Sequence, residues 1–429
     1  MTIIVVLLGG LALALVVAVG VTLYVTVSIN ARANRQDTIV SVPFAADAPE
    51  EFMRTLAAAA GQGMLAGNGV EIYQNGCTIF PPMLDAIRNA RATVHFATFV
   101  YEAGHIPDEF GEAFSDAARR GVEVRVVLDS NGARKIRPGV VDRMRNAGCN
   151  VQWFGRPRWY DWEKYNRRMH RKLLVVDGVV AFTGGVGIAD QWDGNGDGPR
   201  HWRDTHAKVT GPAVAALQAA FVDTWNDATG ELLLDDSYFP ELSPTGDIQM
   251  CVVQSNPASA TSAAQRVMAA LVAGARHSLA ITNAYFVPTP PFIAALTEAR
   301  KRGVRVRILT PGPFHNKPSV RRASRYTWRA LLDGGVELFE HQQTMVHAKV
   351  LIVDDVVLSV GSINFDPRSF ALNAECGVVM LDAELAGGAA RQFEHDLLSA
   401  RQTTLADIAR RPFLSRAIDG VAYFFRAQL

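Results

Sequence analysis

The chain has 429 residues, 49% of them hydrophobic, which is enough for one large domain or two ordinary ones with substantial cores. Its 43 basic and 42 acidic residues leave a formal net charge of +1, so it lacks the basic excess of a nucleic-acid binder, and any anion must be met by local clusters. The cysteines Cys77, Cys149, Cys251 and Cys376 are scattered without a CxxC pair, which argues against a zinc site or a disulfide framework and for reduced thiols.

The first predicted element is apolar. No charged residue occurs from Ile3 to Ile29, and about 20 apolar residues cross a bilayer as a helix, so this run spans once and not twice. No Lys or Arg precedes it, unlike the basic start of a secretory signal, so residues 1–30 are expected to be an uncleaved anchor. Arg32 and Arg35 follow the span, and the positive-inside rule then places the rest of the chain in the cytoplasm. Residues 31–66 are Ala-rich and read as a linker.

Beyond it, helix-like and strand-like patterns alternate, which predicts an α/β fold. Pro81–Arg91 is helix-like, Val94–Tyr101 strand-like, the stretch ending at Gly121 helix-like again, and VEVRVVLD another strand. This order recurs. Ala275–Pro288 resembles Ala90–Tyr101, the stretch from Ala299 resembles that from Ala117, and Leu331–Phe339 echoes Arg145–Phe154. The expected organisation is a first α/β domain over 67–230, an acidic Pro- and Gly-punctuated connection over 231–247, and a second domain over 248–429. Two such domains are expected to pack about a pseudo-twofold axis.

Each half ends in the same phrase. MHRKLLVVDGVVAFTGG starts at Met169, and VHAKVLIVDDVVLSVGS starts at Val346. Strand alternation puts His170 and Lys172 on one side, and His347 and Lys349 likewise. A histidine acts as nucleophile, base or acid near neutrality, and a lysine beside it is a cation suited to a phosphate oxygen. Gly184-Gly185 and Gly361-Ser362 are expected to let the backbone approach an anion, and Asn364 to add an amide donor. Together these residues handle phosphate without metal or cofactor. Asp177 and Asp354 sit at the turns, five residues of extended chain from their lysines. At about 3.3 Å per residue they lie far from the histidines, so turn-forming or ion-pairing roles are expected. Each histidine needs an orienting acid. Asp204 follows His170 by 34 residues and Glu375 follows His347 by 28, which suggests those pairings.

These residues resemble the phospholipase D superfamily, with its two HxKxxxxD motifs, and within it most closely the bacterial cardiolipin synthases. The similarity runs from about Gly67 to about Pro412 and includes HWRDTHAKVTGPAV, TNAYFVP and GSINFDPRSFALNAE. It implies two phospholipase D-like α/β domains, which here would follow the expected single transmembrane helix in the bacterial inner membrane. It also implies an exchange in which two phosphatidylglycerols become cardiolipin and glycerol. His170 would be the nucleophile and His347 the acid and base. Lys172, Lys349 and Asn364 would stabilise the phosphorus-centred charge, and Asp204 and Glu375 would orient the histidines. Phosphatidylglycerol and anionic membrane lipid are the expected partners. The family's first motif usually ends GGxN, whereas here Gly187 stands in the Asn position.

Two further stretches face the membrane question. From Arg156, RPRWYDWEKYNRRM mixes arginines with tryptophans and tyrosines and reads as a lipid-admitting loop, and HNKPSVRRASR from His315 reads as the opposite rim. The C-terminal VAYFFRAQL reads either as amphipathic or as a packed last helix. The rival functions are a hydrolase using water in place of the lipid hydroxyl, and a lipid-binding scaffold with a degraded site.

Overall fold

The computed structural model describes residues 2–34, 42–156, 166–256 and 262–429, with side chains of the first helix described at positions 11, 13–28, 30 and 31. Sixteen strands form among the described residues. In the first half they are β1 (Leu65–Gln74), β2 (Thr93–Thr98), β3 (Glu123–Asp129), β4 (Asn150–Phe154), β5 (Arg168–Met169), β6 (Leu173–Val176), β7 (Val180–Gly184) and β8 (Thr205–Thr210). In the second half they are β9 (Ile248–Ser255), β10 (Ser278–Asn283), β11 (Arg305–Pro311), β12 (Glu337–His341), β13 (Lys349–Val353), β14 (Val357–Gly361), β15 (Asn373–Leu381) and β16 (Ala400–Thr403).

Outward from the β1–β9 contact, one half reads β1-β8-β7-β6-β2-β3-β4 and the other β9-β15-β14-β13-β10-β11-β12, with β16 added at the second edge. The pairing senses agree as well. β2–β3–β4 and β10–β11–β12 are parallel, and the remaining pairs along each half are antiparallel. The two halves thus repeat one strand order and one set of pairing senses.

The strands read as nearly continuous Val, Ile and Leu runs because both their faces are covered. The helices Gly76–Arg88, His105–Arg119 and Pro138–Asn146 close one outer core over β2–β4, burying Phe96, Phe110 and Phe114. A second outer core covers the other half. A third core holds residues of both halves, Leu173, Val175 and Val209 with Val350, Ile352 and Val360, and the helix Ala213–Thr229 packs into it. The halves therefore share apolar packing as well as a sheet.

One expectation changes. Residues 31–66 are not linker throughout, because Pro49–Ala60 is a helix whose Phe52, Met53, Leu56, Ala57 and Ala60 pack into the second-half core. The helical spacing of these apolar residues gives the physical reason. Of the expected anchor, residues 2–30 lie in a helix, Thr2–Asn34. Among the described residues no helix is long and apolar enough to cross a membrane, the longest unbroken run of described side chains in this one being 13–28. Most of the basic aromatic stretch from Arg156, residues 157–165, lies outside the described residues. The 231–247 connection has no helix or strand, and its Tyr238 hydroxyl donates to Glu123 at 2.9 Å.

Candidate active site

The two histidines reach the site by the same local device. Two-residue β5 pairs in parallel with β15, so His170 N donates to Ala374 O at 2.9 Å. In the other half Val346 bridges in parallel to Arg203, and His347 N donates to Arg203 O at 2.7 Å. Each histidine thus follows a residue paired beside the acid-bearing segment of the opposite half.

The acids are consequently exchanged relative to the sequence expectation. His170 Nδ1 lies 2.9 Å from Glu375 Oε2, and His347 Nδ1 lies 3.0 Å from Asp204 Oδ2. Spacing along the chain suggested Asp204 for His170 and Glu375 for His347. The cross-half strand contacts override it.

All four groups are buried. Burial by itself raises both carboxyls, but the histidine hydrogen bonds and the Lys349 and Lys172 cations outweigh it, holding Asp204 at about 2 and Glu375 below its ordinary value. Each ionised carboxylate accepts from Nδ1–H, so Nε2 is the nitrogen left for chemistry. Burial, followed by smaller effects that include the neighbouring lysines, lowers His170 to about 4 and His347 to about 3. Burial and the Lys349 charge lower Lys172 to about 7, and burial lowers Lys349 to about 8.

The lysines are alike in one contact and differ in another. Each donates to the carbonyl of its own histidine, Lys172 Nζ to His170 O at 2.7 Å and Lys349 Nζ to His347 O at 2.5 Å, but Lys349 Nζ also lies against the His347 ring, 2.9 Å from Nδ1 and 3.1 Å from Nε2. No hydrogen bond among the described residues engages His170 Nε2.

A cavity of about 270 Å³ opens over both histidines. Asn364 lines it, nearly buried, with its Oδ1 unpartnered. Lys135, Arg168, Lys317 and Arg368 add positive charge to the wall, and Phe99, Trp202 and Tyr285 add aromatic surface. The volume admits a phosphodiester headgroup and not a whole lipid, whose chains would have to stay outside. Lys317 and Asn316 place the start of the His315 stretch at the cavity, whereas Arg321 and Arg325 pair with Glu340.

Gly185 and Ser362 differ from expectation. Gly185 N donates to Thr205 O, and a Cβ there would sit 2.0 Å from Asp204 Oδ1. Ser362 N donates to Cys376 O at 2.9 Å, and its hydroxyl donates to Glu375 Oε2. Neither amide is left for an anion. Gly185 makes room for one acid, and Ser362 holds the other. Glu375 also accepts from Ser369 Oγ at 2.7 Å and Asn373 Nδ2 at 3.2 Å.

Asp177 and Asp354 occupy matching turns, each at φ 53°. Asp177 accepts from the amides of Arg91, Ala92 and Thr93, and Asp354 from those of Arg276, His277 and Ser278. Each ties its hairpin to the start of the neighbouring strand.

Trp192 is a site residue that the sequence reading missed. Its indole Nε1 donates to Asp204 Oδ2 at 2.8 Å, and its ring meets His347 edge-on at 5.2 Å between centroids. A Cβ at Gly187 would lie 2.7 Å from Val100 Cβ and 3.1 Å from the Trp192 ring. Trp192 thus fills the space beside Gly187, and its N–H is spent on the acid. The available signal was the pairing of an unusual glycine with a tryptophan five residues on.

Among the described residues, no group of three or more His, Cys, Asp or Glu is placed to hold a metal ion. The family model described as "Cardiolipin synthase, PLD-like domain" matches residues 83–195 and 268–397. The chain is 31% identical to the major cardiolipin synthase ClsA of Bacillus subtilis over 361 residues, covering 83% of this chain and 74% of that one. It is 32% identical to a cardiolipin synthase of Oceanobacillus iheyensis over 338 residues, 79% of this chain and 70% of that one. In fold it is similar to a phosphatidylserine synthase of Haemophilus influenzae, with a TM-score of 0.64 at 12% identity, covering 88% of this chain and 99% of that one.

Proposed function

The chain belongs to the phospholipase D-like cardiolipin synthases and is a phosphatidyltransferase of that superfamily; from that premise we propose how its own residues divide the reaction. The observation that carries the proposal is the pair of buried histidines over one cationic cavity, each with Nδ1 held by an ionised carboxylate from the opposite half.

His170 Nε2 attacks the phosphorus of a first phosphatidylglycerol. The bond to the glycerol headgroup breaks, and His347 gives its proton to the leaving oxygen. In the second step His347 takes the proton of a hydroxyl on a second phosphatidylglycerol. That oxygen attacks the phosphatidyl-histidine, the P–N bond breaks, and cardiolipin leaves. Covalent catalysis splits one hard displacement into two easier ones. The unengaged Nε2 of His170 favours it as nucleophile, which leaves His347, across the same cavity, as the acid and base. The resting histidines are neutral. An arriving phosphate anion offsets the lysine charges and raises the imidazole pKa toward the acid role. Lys172, Lys349 and Asn364 stabilise the charge that grows on the phosphoryl oxygens.

The Thr2–Asn34 helix is read as a single-pass anchor in the bacterial inner membrane, with the catalytic part cytoplasmic. Its uncharged run and its exposed Leu11, Leu13, Leu15 and Val16 support this.

The test is incubation of the full chain with phosphatidylglycerol alone, with products read by mass spectrometry. Cardiolipin and free glycerol, both lost in His170→Ala, are expected. Phosphatidic acid without cardiolipin would move the chain to the hydrolases.

A further inference from the structure

The helix Phe413–Phe424 carries its polar side inward. Asp419 is buried and pairs with Arg411 and, at 3.4 Å, with Arg322 on the neighbouring helix Pro318–Asp333. Tyr423 stacks on Tyr326 of that same helix at 4.7 Å between ring centroids. At about 100° per residue, Phe413, Leu414, Ala417, Ile418, Val421 and Phe424 fall within one arc of roughly 140°. All six face outward, with Phe413 78%, Leu414 70% and Val421 61% exposed. A soluble helix buries such a face; this one is pinned by its charges and presents its apolar side.

Its surroundings name the occupant. Asn30, near the end of the apolar N-terminal helix, donates Nδ2 to Phe424 O at 2.9 Å. That same N-terminal helix packs against the 426–428 turn and against Pro367–Ala371. Arg368 from the latter and Leu429 both line the reaction cavity. Exposed Arg410 and Arg416 flank the apolar arc, as suits anionic headgroups.

We propose that the Phe413–Phe424 helix lies in the bilayer interface with Phe413, Leu414, Ile418 and Val421 among the acyl chains, so that the cavity mouth rests on the lipid surface. The inference builds on the anchor and lipid-transfer readings. It explains how a cavity sized for a headgroup serves a diacyl lipid, since the headgroup enters while the chains remain in the membrane.

The test uses the full chain with Cys77, the exposed cysteine, changed to serine. An environment-sensitive fluorophore is placed in turn at Ile418→Cys, at Val16→Cys in the N-terminal helix, and at Val179→Cys in the Asp177 hairpin turn. The protein is reconstituted in vesicles of phosphatidylglycerol and phosphatidylcholine containing a doxyl-labelled lipid. About twofold quenching is expected at 418 and 16, with none at 179. Quenching at 16 but not at 418 overturns this inference and leaves the anchor standing; a 418 signal that responds instead to protein density assigns the face to a second copy. Quenching at 418 alone supports the interfacial helix and removes the anchor. As a second readout, Leu414→Glu with Ile418→Glu is expected to raise the apparent KM for vesicle phosphatidylglycerol about tenfold, with kcat on a soluble short-chain analogue unchanged. Equal loss on both substrates would assign the face to folding.

Discussion

The two histidine sites descend from one repeat yet are furnished differently. Glu375, beside His170, rests among small polar groups, Ser362, Ser369 and Asn373. Asp204, beside His347, is held by the Trp192 indole and the Thr205 amide, with Trp192, Trp202 and Tyr285 around the imidazole. One histidine keeps a clear Nε2 and the other has a lysine against it. The repeat supplies equivalent positions, and the side chains around them set unequal roles.

The sharpest way to break this comparison is to remove each histidine in turn. His170→Ala and His347→Ala are each expected to lower turnover of phosphatidylglycerol by at least about 10⁴-fold. A phosphatidyl ester of p-nitrophenol needs no acid to leave, so its release should recover in His347→Ala and stay absent in His170→Ala. The opposite pattern exchanges the roles.

The acids come next. Glu375→Gln and Asp204→Asn are expected to cost about 10²–10⁴-fold, by loss of tautomer control. Because the acids cross between halves, Glu375→Gln should behave like the His170 variant on the p-nitrophenyl ester, and Asp204→Asn like the His347 variant. Behaviour following the order along the chain would sink the crossed pairing.

Gly187 and Trp192 test the aromatic side alone. Gly187→Asn forces a Cβ against Val100 and is expected to destabilise by about 1–3 kcal/mol in a thermal or chemical melt. Trp192→Phe keeps an aromatic group but shrinks it and removes the N–H, so it should slow turnover about tenfold and also lower stability by about 1–3 kcal/mol. Wild-type turnover with lowered stability in Trp192→Phe would make Trp192 a packing residue only.

The smallest effect is the pH response, and it runs in two directions. Lys172 at about 7 and Lys349 at about 8 lose their cations as pH rises through that window, so kcat/KM should fall. Over the same window the unfolded chain, with lysines near the ordinary 10.5, holds more protons than the folded one. Stability of the substrate-free protein should therefore rise from these lysines between about pH 7 and pH 10. A melting temperature that falls through this range in wild type but not in Lys172→Met would contradict the assignment.

Much of this was legible along the chain. The doubled His-Lys-Asp phrase and the strand and helix order are local patterns of residue type, and strand periodicity places His and Lys together whatever the partner. The positions of Asp177 and Asp354 at turns followed from extended-chain length, and the three amides each one holds make them hairpin ties. Pro49–Ala60 was less legible, because its Ala-rich composition hid an apolar stripe that acquires meaning only against the second-half core.

What the sequence by itself determined was the chemistry, meaning which residue types occur, how often, and at what spacing within a segment. Which acid serves which histidine was decided only in three dimensions, by β5 lying on β15 and by Val346 lying beside Arg203. So was the use of Ser362 as a brace for Glu375, and the filling of the space beside Gly187 by Trp192. These are contacts between segments far apart along the chain, set by shared burial and strand pairing, and no local periodicity encodes them.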